Sequence, residues 1–378
     1  MEIYEKELDE LLEVNRKYKN IELSIDNFLC TEMPMKLTEF DWIKRLKISN
    51  TLLDNTNNMP QNINYLVLES NNFGYLTNDM FWESIFYINL SNNTLNKIDF
   101  NIFPKSLKFL LMANCFLTTA VNINTLTKLD MVHLQNNGLA SLDGIHELEK
   151  LHTLNIANNK FSLMPSLNEN IRIIDISYNA FKEITTLPDT LTNLDCSACQ
   201  LKKLILPMNL IILKAENNFI STINYFPQTL QHIFLGGNEL THLPRLPPNV
   251  IEVDVSSNKL TTLMQLKIPV TLEKVNITDN YINKKIVENF IAMNPHMKCS
   301  HDYEMDVMSD SESDNIFTID TTVKRNVNYD NYESQDKKYA NFSSSAYLFD
   351  MQASSSNNNN KRYLDNPYKI KLKKSIDV

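Results

Sequence analysis

Leu151-His152-Thr153-Leu154-Asn155-Ile156-Ala157-Asn158-Asn159-Lys160-Phe161 is the stretch whose spacing decides the architecture. Apolar side chains stand eight, five and three residues before Asn159 and two after it. The same spacing recurs around Asn71, Asn93, Cys115, Asn137, Asn179, Cys199, Asn218, Asn238, Asn258 and Asn280. Successive steps are 22, 22, 22, 22, 20, 20, 19, 20, 20 and 22 residues. All 44 of these sites are apolar, whereas a chain that is 43% hydrophobic would fill fewer than half of them by chance. Repetition at this period marks a stacked array rather than a compact globule. A weaker unit, Ile43-Leu46-Ile48-Thr51-Leu53, comes first. A further apolar site five residues after the ladder position holds from Leu76 to Leu263 and fails at Lys285, where the array is expected to end.

Each unit reads as one short strand of a parallel sheet. Its aliphatic residues point inward and the alternate residues point to solvent. The asparagine ends the strand, and its amide both donates and accepts, so it can satisfy backbone groups that the turn leaves unpaired. A single unit cannot bury its apolar edge alone, so stability must come from neighbours. Eleven intervals of about 4.8 Å predict a sheet about 50 Å long.

The LxxLxLxxNxL pattern resembles the leucine-rich repeat family across roughly residues 43–282. The resemblance implies an α/β-type repeat solenoid, a horseshoe with a concave parallel β-sheet and a mostly non-helical or 3₁₀ convex side. Two styles are mixed. A proline stands eleven before the ladder position at Pro60, Pro104, Pro188, Pro207, Pro227, Pro247 and Pro269. The units of 19–20 residues among these resemble the bacterial-effector type, where proline fixes an extended return and denies it a helix. The proline-free Leu142–Leu151 stretch, with its 22-residue step, resembles the phosphatase-regulator type, which carries a short turn of helix on its back.

Outside the array, residues 1–42 read as an N-terminal helical cap, with Leu8, Leu11, Leu12 and Tyr18 as its apolar positions. Residues 283–299 read as a C-terminal capping helix stopping near Pro295. Residues 300–378 read as a disordered tail, acidic then basic. Asp302 to Asp336 holds ten acidic and two basic residues, and Lys337 to Val378 holds eight basic and three acidic. Ser309, Ser311 and Ser313 lie among the acids and suit an acid-directed kinase. The charged start of the chain lacks a secretory apolar run, and no stretch reaches the ~20 apolar residues of a membrane span. Five scattered cysteines fit reduced thiols. The expectation is therefore a cytoplasmic protein without membrane insertion. The heavy use of Asn, Ile and Lys suggests an AT-rich genome, and for a viral or parasite gene the compartment is the host cytoplasm.

Chemistry is sparsely signalled. Five glycines in 378 residues, against a usual ~7%, leave little room for glycine-rich phosphate cradles. Neither nucleotide-binding fingerprint is present. A net charge of −9 disfavours nucleic-acid binding. Cys196-x-x-Cys199 looks like a metal or redox pair, but the register places Cys196 at an inward aliphatic site and Cys199 on the ladder. No catalytic constellation, cofactor or metal is expected.

Function is expected on the concave face, because inward positions are committed to packing. Its outward residues include Tyr65, Val67, Tyr87, Phe109, Leu111, Met131 and His133, then Asp175, Asp195, Lys214 and Phe234. Tyr65, Tyr87 and Phe109 share a column and form an exposed apolar strip of the kind that binds protein partners. Asp175 and Asp195 are column neighbours placed to receive a basic side chain. The leading expectation is a non-enzymatic scaffold for a protein partner. A ubiquitin-ligase-type effector is a second reading, from the resemblance to proline-containing repeats. Against it, Cys299-Ser300-His301 lacks the Cys-x-Asp element of such enzymes, and few residues follow the array. A phosphatase regulatory subunit is the third, from the 22-residue units.

Overall fold

The computed structural model describes residues 2–184, 186–263 and 267–303. Most of the tail, including Ser309, Ser311 and Ser313, lies outside the described residues. The described chain is a right-through stack of parallel strands, one per unit. Its main sheet has fourteen strands: β1 (Glu22–Asp26), β2 (Arg45–Ser49), β3 (Tyr65–Val67), β4 (Tyr87–Asn89), β6 (Phe109–Leu111), β8 (Met131–His133), β9 (Thr153–Asn155), β10 (Ile173–Asp175), β11 (Asn193–Asp195), β12 (Ile212–Lys214), β13 (His232–Phe234), β14 (Glu252–Asp254), β15 (Lys274–Asn276) and β16 (Lys298–Ser300). A second, two-stranded parallel sheet joins β5 (Lys97–Asp99) to β7 (Thr119–Val121). Every neighbouring pair in the main sheet is parallel and in the register of the repeat, as in Leu154↔Ile174↔Leu194↔Leu213.

The sheet is longer than the periodicity indicates. β1 pairs with β2 inside what the sequence assigns to a helical cap of residues 1–42. Leu23 and Ile25 are inward there, but the ladder position is Phe28, so the unit lacks the polar mark that identifies the others. At the other end β16, which pairs with β15, begins inside residues 283–299. The helical part of the N-terminal cap is α1 (Glu2–Tyr18). Leu8, Leu11 and Leu12 are buried in the core, while Tyr18 is half exposed. Asn15 is buried on the same helix; its Oδ1 accepts from Trp42 Nε1 (3.0 Å) and its Nδ2 reaches the Asn20 carbonyl. The C-terminal helix α2 (Lys284–Met293) is capped by the Asn283 side chain, which accepts from Lys285 N, and it buries Val287 and Phe290.

The two repeat styles have different backs. Short 3₁₀ segments occur at Met35–Glu39, Asn78–Met80, Phe100–Ile102, Ile123–Thr125 and Ile145–Glu147, all in the N-terminal half. In the proline-bearing units the Pro carbonyl instead accepts from the amide three residues on, at Leu191, Leu230, Val250 and Leu272 (3.1–3.3 Å). Proline thus opens a turn that feeds the chain into the next strand.

The ladder side chains stitch coil to coil. Asn159 Nδ2 donates to the Leu134 carbonyl of the preceding coil (2.9 Å) and to Ile156 of its own (3.1 Å). Its Oδ1 accepts from Leu139 N of the preceding coil (3.0 Å). Asn93, Asn137, Asn179, Asn218, Asn238, Asn258 and Asn280 repeat this pattern, and Asn71 reaches Ile48 O in the same way. Cys115 and Cys199 use the thiol as donor, to Leu90 O (3.2 Å) and Ile176 O (3.1 Å).

Two further columns are invisible to hydropathy. The residue just before each ladder position is left-handed throughout, including Asn50, Asn92, Asn136, Asn158, Tyr178, Ala198, Asn217, Gly237 and Asp279. Asparagine tolerates that conformation better than other non-glycine residues, which explains the repeated Asn-Asn pairs. At nine residues before the ladder position a hydroxyl or amide bonds a carbonyl of the preceding coil: Ser84 to Ile63, Ser106 to Ile85, Asn170 to Glu149, Thr190 to Ile171, Thr229 to Leu210 and Thr271 to Val250 (2.6–2.9 Å).

Asn159→Ala removes one acceptor and two donors from a buried seam and leaves backbone groups of two coils unpaired. The expected loss is about 2–4 kcal/mol in urea unfolding. The left-handed Ala198, whose side chain can make no hydrogen bond, tests conformation alone: Ala198→Gly is expected to leave stability unchanged or raise it by up to about 1 kcal/mol, whereas Ala198→Val costs about 1–2 kcal/mol because a β-branched residue resists φ near 52°.

Candidate functional site

The outward residues of the strands form three columns on the concave face. In the first, Arg45, Tyr65, Tyr87, Phe109, Met131 and Thr153 stand side by side in register. Tyr65 and Tyr87 stack at 4.0 Å and 11°, and Tyr87 meets Phe109 at 6.2 Å and 38°. The Arg45 guanidinium lies 4.6 Å from the centre of the Tyr65 ring. Strand spacing near 4.8 Å forces these flat side chains face to face. Burial, with Tyr65 alongside, pushes the Tyr87 phenol far above its ordinary range.

This packing corrects the expectation of an open strip. Phe109 and Met131 are each 7% exposed, and Val67 and His133 each 5%. Large neighbours one strand apart cover one another, so these four serve as floor. Tyr65, Tyr87 and Leu111 remain half-buried. The most exposed aromatic rings, among them Tyr75, Phe116 and Tyr281, stand elsewhere and singly, as is ordinary for surfaces.

The second column carries the charges. Asp175 and Asp195 are adjacent in register, and Lys214 follows. Both carboxylates also hold their own strand ends. Asp175 Oδ1 accepts from Ser177 N and Oγ, and Asp195 Oδ1 from Ser197 N. Their outer oxygens face neighbours: Asp175 Oδ2 accepts from Asn155 Nδ2 (3.2 Å), and Asp195 Oδ2 is 3.9 Å from Lys214 Nζ. Burial, then the like charge of Asp195, raises the Asp175 carboxyl above the ordinary range. Glu216 is raised by burial and by Asp254. Phe234 stacks with His232 (6.5 Å), whose Nδ1 is 3.6 Å from Glu252.

Sequence reasoning names His133 as an outward residue but misses Gln135, Thr153 and the burial of all three. His133 Nε2, Gln135 Oε1 and Thr153 Oγ1 are buried and have no hydrogen-bond partner among the described residues. The signal is weak in sequence because a histidine, an amide and a hydroxyl on outward positions look like ordinary surface. It also missed the Asp130–His152 pair, at 2.7 Å between adjacent coils.

The cysteines do not assemble a site. Cys196 and Cys199 are wholly buried; burial lifts Cys199 to about 12 and Cys196 well above its ordinary value. Cys115 and Cys299 are pushed up to about 11 by burial. Thiols held protonated are poor nucleophiles. Among the described residues no group of three His, Cys, Asp or Glu side chains is arranged to hold a metal ion, and no helix is long and apolar enough to cross a membrane.

Two measurements follow. Iodoacetamide at pH 8 should leave Cys115, Cys196 and Cys199 unmodified in the native protein and alkylate them in urea. Burial lowers the His133 imidazole to about 4, so between about pH 6.5 and 4 the unfolded chain binds a proton the folded chain refuses. Stability therefore falls as pH drops through that window, and His133→Gln should flatten the fall by about 2–3 kcal/mol between pH 7 and 4. Equal slopes for both proteins would refute the assignment.

No family model matches the chain. Among curated proteins it is similar to lumican of Gallus gallus, 30% identical over 256 residues that cover 61% of this chain and 68% of that protein. Lumican of Mus musculus is 30% identical over 230 residues, 54% of this chain and 67% of its own length. The chain thus spans about two thirds of these relatives. Adenylate cyclase of Schizosaccharomyces pombe also matches, at 28% identity, over only 9% of its length. Among solved structures, a leucine-rich repeat protein of Leptospira interrogans aligns with TM-score 0.61 and 22% identity over 73% of this chain and 76% of its own. YopM from Yersinia enterocolitica aligns with TM-score 0.52 and 21% identity over 72% of each chain. With fourteen stacked parallel strands, a ladder of asparagines and thiols from Asn71 to Asn280 and these relatives, the chain belongs to the leucine-rich repeat family.

Proposed function

We propose that the protein is a non-enzymatic scaffold that captures a protein partner on the N-terminal half of its concave face. The observation that carries this reading is the run Arg45–Tyr65–Tyr87–Phe109–Met131, five adjacent strands presenting large side chains in one column. A strand column needs no such bulk for its own folding, since the inward residues already form the core. Tyr65 and Tyr87 stay half-buried beside a packed floor, the composition of an interface hot spot. Leu111 and Val67 border it in the next column. The partner's remaining contacts fall on Lys214 and Phe234 farther along the sheet.

The ubiquitin-ligase-type alternative draws no support from Cys299, whose thiol burial holds protonated; a transferase nucleophile needs the reverse. Five unpaired thiols, three of them buried, suit a reducing cytoplasm.

The test compares partners captured from cells by the wild-type chain and by Y65A/Y87A/F109A, with Tyr225→Ala as control. The triple variant should retain a cooperative unfolding transition and lose at least tenfold in affinity for the wild-type partner. Unaltered affinity would remove this column from the binding surface.

A further inference from the structure

Asn137-Gly138 is the only Asn-Gly pair in the 378 residues. In such a pair the following backbone nitrogen reaches the asparagine side-chain carbonyl with least hindrance, because glycine has no side chain in the way and turns freely. This pair stands on the ladder itself. Of the nine ladder asparagines, the other eight precede residues that carry side chains.

Asn137 is also a heavily bonded rung. Its Nδ2 donates to Met112 O (2.9 Å) of the preceding coil and to Leu134 O (2.9 Å) and Gln135 O (3.2 Å) of its own. Its Oδ1 accepts from both Cys115 N and Leu117 N (2.9 Å each). Asn218 matches it bond for bond, accepting from Cys199 N and Leu201 N and donating to Cys196 O, Ala215 O and Glu216 O. Phe219 follows Asn218, so the two rungs differ in the residue that would attack them. In the folded chain the Gly138 amide donates to Leu117 O at 2.7 Å, on the preceding coil. The attacking nitrogen is thereby tied, and the carbonyl it would attack is fixed through both its oxygen and its nitrogen.

We infer that Asn137–Gly138 is a spontaneous deamidation site that the stack guards, and that its reaction makes opening of this coil irreversible. Once the coil opens, Gly138 N attacks the Asn137 side-chain carbonyl carbon. A bond from that carbon to Gly138 N closes a five-membered imide. The bond to Nδ2 breaks, and ammonia leaves with the proton that Gly138 N gives up. Water then opens one of the two imide C–N bonds, which leaves aspartate or isoaspartate at 137. Neither product fits the rung. Aspartate turns an oxygen toward three carbonyls that had accepted N–H, with no donor between them. Isoaspartate adds a methylene to the backbone and carries the side chain out of register. Each coil is held chiefly by its neighbours, so a failed rung at 137 uncouples the stack before it from the stack after it.

The full-length wild-type chain tests this at pH 8, held either in buffer or in urea, with amide-to-acid conversion read residue by residue by peptide mapping. Conversion at Asn137 should be at least tenfold faster in urea than in buffer, because only opened coils react. In urea it should also exceed conversion at Asn218 at least tenfold. The fraction converted at 137, separated on its extra negative charge, should fail to regain the cooperative unfolding transition that the unconverted fraction of the same batch regains once urea is removed. Gly138→Ala should slow conversion at 137 in urea at least tenfold and preserve refolding after the same exposure. A Cβ at 138 stands 3.3 Å from Leu117 O, and the comparison of the two wild-type fractions does not depend on that variant folding. Equal conversion in buffer and urea overturns the proposal. So does a converted fraction that refolds with an unchanged midpoint.

Discussion

Most coils of this solenoid depend on one side-chain amide reaching backward. An inward-turning backbone exposes the carbonyl three residues before the ladder position and the amide two residues after it. The carbonyl accepts once from the ladder amide of its own coil, as Ile156 O does from Asn159 Nδ2, and keeps a second lone pair for the next coil. Asparagine at the next ladder position supplies the donor to one and the acceptor to the other, as Asn93 does for Leu68 O and Phe73 N. A thiol supplies only the donor. Where the ladder departs from asparagine, the next rung also holds the ladder residue's own amide: Cys115 N and Leu117 N both donate to Asn137 Oδ1, and Cys199 N and Leu201 N both donate to Asn218 Oδ1. Thr51 N likewise turns to Asn71 Oδ1.

Because each coil leans on its predecessor, the backs are free to differ. Three-residue strands fix only the concave face, and the chain returns by a 3₁₀ turn or by a proline turn. The longer units carry the former and most of the shorter ones the latter. The second polar column makes this freedom safe. Ser84, Ser106, Thr190, Thr229 and Thr271 tie the entry to each strand to the preceding coil whichever return the chain takes.

The apolar spacing and the ladder asparagines are legible in sequence because burial imposes them at fixed intervals. The left-handed column is legible only in hindsight: Asn136 and Asn158 advertise it, but Tyr178 and Ala198 adopt the same backbone without any compositional mark. β1 is obscured because Phe28 stands where a polar rung is expected. The concave site is legible as a set of columns and not as a surface. Period two says that Phe109 and Met131 point outward, yet their neighbours one strand away decide that they are covered, and those neighbours are twenty-two residues distant in sequence.

That covering changes what the face can do. A partner meeting Tyr65 and Tyr87 lands on rings already held in place by Phe109, Met131 and Arg45, so little rotamer freedom remains to be lost on binding. The acidic half has the opposite character. Asp175 and Asp195 each spend one oxygen on their own strand and keep the other toward a neighbour, so a cation arriving there gains attraction without disturbing the turn. A single sheet thereby offers a preorganised apolar patch at one end and an electrostatically unsatisfied one at the other.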